Sequence, residues 1–319
     1  MRQLLLVIGC LWSALGLSAA TVNVRDFGAL ANGTTLDHEA INRAIEHCAA
    51  DGGGQVIVPA GRYLCGSIRM KSRVDLHLEA GAVIVAAPAS MKAYDPSEVF
   101  GFPEYQDGGH TYFHNSLIWA EGEDGVSITG QGMIDGEGLT KHDTEKAGNV
   151  QGGSIGTGDK AIALKLCRNV LIRDITIFRG GHFAIILTGC ERGTVDNVTI
   201  DTNRDGIDID CCKYLTVINT KVNTPSDDAI VLKSSYALKK PVLCEHILVT
   251  NCLVTGYKLG TFLDGTYVPE RSIGCAAASN WAPRATAATA ISPSPTAPAC
   301  GRADWPSRRS IRAGWRTSS

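Results

Sequence analysis

The stretches NVLIRDITI (169–177), RGTVDNVTI (192–200), YLTVINTKV (214–222) and HILVTNCLV (246–254) lie over one another without a gap. Asp174, Asn197, Asn219 and Asn251 then coincide, at intervals of 23, 22 and 32 residues. Ile172, Val195, Val217 and Val249 stand two positions before them; Ile177, Ile200, Val222 and Val254 stand three after. GVSITGQGMI (125–134) fits the same frame through Ile128, Gly130 and Met133, with Gly130 lying 44 residues before Asp174, two periods. A short β-branched strand that returns with the same inward apolar positions is the mark of a solenoid. No helical pattern alternates with it, so the expected fold is all-β, a right-handed parallel β-helix. Successive rungs are ~4.8 Å apart, so equivalent positions stack into columns. The Asp/Asn column itself is read as a ladder in the core.

The column arithmetic gives meaning to DTNRDGIDIDCC (201–212), which puts four aspartates among isoleucines. Aspartate is scarce in strands because its carboxylate competes for backbone hydrogen bonds and is costly to desolvate. Asp205 follows Asn197 by eight residues and Asp227 follows Asn219 by eight, with Asp228 beside it. His182 holds the matching place after Asp174. Stacked carboxylates repel, which raises at least one pKa without structural return. One protonated and one ionised carboxylate in a groove is the equipment for glycosidic-bond cleavage; adjacent rungs reach the lower part of the ~6.5–9.5 Å separation of inverting enzymes, and rung spacing alone also admits a retaining pair at ~5–5.5 Å. A turn at Asp205-Gly206 or after Pro225, and a calcium site, are the competing readings. Asp208 and Asp210 alternate with inward Ile207 and Ile209 and are expected to face solvent. His182 is expected to be a wall or substrate contact. Arg204 reads as a surface charge or a contact for a uronate carboxylate, and Lys233 as a ladder end or a contact for an anionic substrate.

The rest of the chain bounds these readings. With 319 residues, 44% of them hydrophobic, a sizeable core is possible, and a net charge of −2 with no basic stripe argues against a nucleic-acid partner. Residues 1–20 combine Arg2, an apolar run from Leu4 to Leu17 and Ser18-Ala19-Ala20, the pattern of a cleaved secretory signal. The run is shorter than the ~20 residues of a membrane span. Of 11 cysteines all but Cys10 follow Ala20; export would permit disulfides, but no spacing suits a metal. Ile41, Ala44, Ile45 and Cys48 repeat at helical spacing, predicting one helix over 38–50 with Asp37 as N-cap. Asn32 and Asn197 open glycosylation triplets, the second discounted for its place in the ladder.

At these residues the chain resembles glycoside hydrolase family 28, the polygalacturonases and rhamnogalacturonases, over residues 22 to 274. Asn203-Arg204-Asp205-Gly206 is similar to the family's Asn-Thr-Asp-Gly, with Arg for Thr, and Asp227-Asp228 to its Asp-Asp pair. The resemblance implies that Asp227 is the general acid and that Asp205 and Asp228 activate water, with inversion and without metal or organic cofactor. It implies a secreted, monomeric hydrolase of pectic polysaccharide, with no membrane attachment after signal cleavage. A calcium-dependent pectate-lyase-like enzyme and a non-catalytic glycan-binding coil are the alternatives. The family's Gly-His-Gly and Arg-Ile-Lys motifs are missing. From about Gly274 the Ile/Val period gives way to Ala, Arg, Pro and Ser, so 21–274 reads as an incomplete β-helix domain and 275–319 as a disordered tail. Back-translating Ala277 to Ile291 with permitted codons and shifting frame gives Arg-Ile-Lys-Leu-Gly-Thr-Glu-Ser-Asn-Gly-Gly-Tyr-Arg-Asn, so the tail is read as out of frame and the chain as weakly active or inactive. Nucleotide sequence around codons 270 to 280 tests this: an early stop in the corrected frame would refute it.

Overall fold

The computed structural model describes residues 20–98, 108–140 and 155–270. The expected leader and the tail, including the boundary near residue 274, fall outside them, apart from Ala20. The chain winds as a right-handed parallel β-helix with three faces. The first sheet runs from Ala20–Asn23 to Glu245–Thr250 and the second from Asn32–Leu36 to Leu253–Thr255, eight strands each; the third has six, from Ile68–Arg69 to Ile230–Lys233.

The repeat and the register agree. Ile172, Val195, Val217 and Val249 are paired in one row, and Ile177, Ile200, Val222 and Val254 in another. All but the half-buried Val254 are buried in a single core. Each buried Ile or Val contributes roughly 1.5–3 kcal/mol of transfer free energy, so a row of four is enough to fix the pairing of its rungs. A slip of one residue would turn every side chain to the other face.

Two expectations are corrected. Ser127–Gly130 pairs directly with Arg168–Arg173, so these are neighbouring rungs separated by a long excursion, not two periods. Ile134 rather than Met133 pairs with Ile177, because Gly130-Gln131-Gly132 adds one residue to the turn. The Asp/Asn column is not in the core either. Asp174, Asn197, Asn219 and Asn251 are exposed corners with φ of 67°, 52°, 56° and 52°. Asn and Asp tolerate this left-handed conformation better than other side chains, and their side chains link the rungs outside: Asn197 Nδ2 donates to Asp174 Oδ1 (2.8 Å) and Asn251 Nδ2 to Asn219 Oδ1 (2.6 Å).

The helix forms over His38–Ala50 and lays Ile41, Ala44, Ile45 and Cys48 on the first rungs, closing that end of the core. Asp37 occupies the N-cap position, but its carboxylate accepts instead from the Leu30 and Ala31 amides at 2.7 and 2.9 Å.

A further column is cysteine. Cys167, Cys190, Cys212 and Cys244 each precede residues in mutual register, and all four are buried. Their thiols donate to carbonyls: Cys190 Sγ to Leu164 O at 3.3 Å, Cys212 Sγ to Leu187 O at 3.3 Å. The eight described cysteines carry free thiols, and burial pushes Cys190 up and Cys244 to about 11. The thiolate is the reactive form, so iodoacetamide should leave this column unmodified in the native chain and label it after unfolding. Mass spectrometry showing native labelling, or a disulfide within the column, would refute this.

Candidate active site

The second sheet is joined to the third by turns at residues 202–204 and 224–229, and these carry the expected carboxylates. Asp205, Asp227 and Asp228 each supply an oxygen within 4.8 Å of the others. That is closer than the ~6.5–9.5 Å expected of an inverting pair. The partners differ from the column arithmetic. Phe183 pairs with Asp205, and the ladder bonds Gly206 N to Asp228 O (2.9 Å) and Ile207 N to Ala229 O (2.9 Å) bring Asp205 level with Asp228. His182, Arg204 and Asp227 form the adjoining row. The cause is a length difference: the Asp201–Ile207 passage is one residue shorter than the paired Asn223–Ile230 and Phe178–Ile185 passages. Gly206 permits the approach, since a Cβ there would stand 2.4 Å from the Ala229 carbonyl oxygen.

Asp205 is 5% exposed, whereas the Asp227 side chain is 31% exposed. Burial, reinforced by the Asp208 and Asp227 carboxylates, holds the Asp205 carboxyl well above the usual carboxylate range, against the pull of Lys233 and Arg204. Arg204 lies across the group, its Nη2 at 2.9 Å from Asp227 Oδ2 and 4.0 Å from Asp205 Oδ2.

Asp208 and Asp210 do not face solvent; both are fully buried. The segment from Gly108 onward folds over the outer face of the third sheet, where Phe113 packs with Ala163, Phe183 and Ile186 in a second apolar cluster. It delivers His110, fully buried, with Nε2 at 3.1 Å from Asp208 Oδ2 and Nδ1 at 3.3 Å from Asp210 Oδ2. Lys233 Nζ stands 2.9 Å from Asp208 Oδ2 and 2.8 Å from His110 Nε2. Lys233 is thus tied into a buried charge cluster beside the trio. His182 stacks on Phe183, with its Nδ1 at 3.3 Å from Asp159 Oδ2. Asp201, also fully buried, accepts from the amides of Gly260 (3.0 Å) and Leu263 (3.3 Å) and anchors the turns that follow the last strand.

His110 escaped sequence reasoning because it belongs to no repeat and meets its partners about a hundred residues further along the chain. A second cluster was equally invisible to spacing: Glu98, His114 and Glu121 place a ligand-type atom each within 4.8 Å, with Lys165 at 2.8 Å from Glu121. His114 Nε2 stands 2.9 Å from Glu121 Oε2 and 3.5 Å from Glu98 Oε1, so the imidazole and the Lys165 ammonium fill the space between the two glutamates.

Fold and site together define a parallel β-helix with a carboxylate trio at the turns that join its second and third sheets. The chain belongs to glycosyl hydrolases family 28, whose model matches residues 48–256. An exopolygalacturonase of Platanus acerifolia is 27% identical over 66% of this chain and 52% of its own length. The plasmin and fibronectin-binding protein A of Streptococcus pneumoniae is 33% identical over 55% of this chain and 23% of its own. The crystal structure of a hyperthermoactive exopolygalacturonase from Thermotoga maritima superposes with a TM-score of 0.62 at 27% identity, covering 74% of this chain and 60% of that one. The chain spans about half the length of the plane-tree relative, and less of the pneumococcal one.

Proposed function

We propose that the chain is a secreted, monomeric hydrolase of pectic polysaccharide that cleaves α-linked galacturonic acid by acid/base displacement with inversion. The observation that carries this is the convergence of Asp205, Asp227 and Asp228 beside a guanidinium, in a chain of this family. Asp227, more exposed than Asp205, protonates the leaving glycosidic oxygen; Asp205 and Asp228 together take a proton from the attacking water. The balance is complete without a cofactor: water adds its hydroxyl to the sugar carbon, the leaving oxygen receives a proton from Asp227, and the base pair receives one from water. Arg204 and Lys233 supply the positive charge that an acidic sugar needs, and His182 shapes the wall.

The test is digestion of polygalacturonate. New reducing ends without an unsaturated uronate product, and a first-formed product of inverted anomeric configuration by NMR, are the expected outcomes. Ultraviolet absorbance from an unsaturated product, appearing only with calcium, would replace hydrolysis by β-elimination. The pneumococcal relative favours a second reading, a coil that binds without cleaving; it would release no reducing ends at all.

A further inference from the structure

Arg204 stands where it would hinder the reaction just proposed. Its guanidinium is 2.9 Å from Asp227 Oδ2, and its side chain is itself only 26% exposed. An oxygen paired with a guanidinium cannot at the same time carry a proton to a leaving group. The same guanidinium is 4.0 Å from Asp205 Oδ2, so moving it alters two of the three carboxylates together.

We propose that Arg204 is a substrate-operated gate: it pairs with Asp227 in the empty groove and transfers to the carboxylate of an arriving uronate, which opens Asp227 Oδ2 to the proton that the three aspartates share. The transfer is balanced. Burial of Asp205 favours its protonated form, and the proton that Asp205 gives up is the one that Asp227 receives. Asp205 becomes a carboxylate beside Asp228, so one event prepares both the acid and the base pair. The groups facing this exchange are Arg204 on the same turn, Asp228 on the next rung, Lys233 and Asp208 from the third sheet, and His182 one rung below. Planar guanidinium is suited to the exchange because it pairs a carboxylate through two parallel hydrogen bonds. A neutral sugar offers nothing to draw it away. Specificity for acidic sugar would then reside partly in the acid's availability and not in binding alone. This inference rests on the uronate reading above and names Arg204 as a positioning residue.

The experiment is a double-mutant binding cycle, read by titration calorimetry with trigalacturonate and with its fully methyl-esterified, neutral form. Arg204→Gln should bind trigalacturonate at least tenfold more weakly than the natural chain and the methyl ester equally well. Asp227→Asn should bind trigalacturonate three- to tenfold more tightly, because the guanidinium is already released. That gain should vanish in the Arg204→Gln background. Relief of simple charge repulsion would instead preserve the gain in both backgrounds, and that result overturns the gate. So does an unchanged preference for acid over ester in Arg204→Gln. A natural chain that binds neither trisaccharide overturns the pectic reading itself, which separates the two failures.

Discussion

Asp227→Asn should abolish the release of reducing ends, lowering kcat by ~10³-fold or more, while leaving the coil intact. General acid catalysis typically supplies 10²–10⁴-fold, and an amide of the same shape cannot donate a proton of the required acidity. The structural cost is small because the pair it breaks with Arg204 is part-exposed on both sides, at 31% and 26%; pairs of this kind contribute ~1 kcal/mol or less. Circular dichroism and melting temperature should therefore match the parent. A substitution that leaves turnover within threefold would remove Asp227 from the chemistry.

His110→Ala should act in the opposite way, through the fold first. Its imidazole is held by two fully buried carboxylates, and removing it strands Asp208 and Asp210 with Lys233 as the remaining cation among the described residues. Breaking a buried ionic group by deleting one partner costs about 3–5 kcal/mol, a large share of the ~5–15 kcal/mol of a typical domain. The pH dependence identifies the cause. Burial draws the His110 pKa down, but Asp208 and Asp210 outweigh it, so the folded value lies above 6.5. A raised pKa means stabilisation that is complete below about 6.5 and lost as pH rises through the folded value. Asp210 runs the other way: His110 and Ser235 overcome burial and hold it below 3.8, so its share is present above that value and lost in acid. Urea midpoints of the natural chain should fall as pH climbs from 6.5, whereas those of His110→Ala should be flat there. A parallel fall in both would refute the assignment.

The coil was legible because its signal is repeated: four segments agree on which Ile and Val point inward, and the structure pairs those residues row by row. The carboxylate trio was legible as a gathering but not in its alignment, since counting from Asn197 and Asn219 assumes turns of equal length and one turn is a residue shorter. Asp208 and Asp210 were misjudged because alternation says only that they leave the core; it does not say that another segment covers them. That segment, with His110 and Phe113, packs by contacts of long sequence separation and so leaves no local pattern.

The one-residue shortfall between Asp201 and Ile207 behaves like the offset scale of a vernier. Along the axis the spacing is set by backbone pairing at ~4.8 Å and is not adjustable. Around the circumference each turn can gain or lose a residue while the buried rows stay locked, as Gly130-Gln131-Gly132 and the Asp201–Ile207 passage both do. Which carboxylate faces which is thus decided by whole-number steps in turn length. Such a coil changes its chemistry in clicks: inserting one residue between Gly206 and Ile207 would bring Asp205 level with Asp227 and leave the hydrophobic rows where they are.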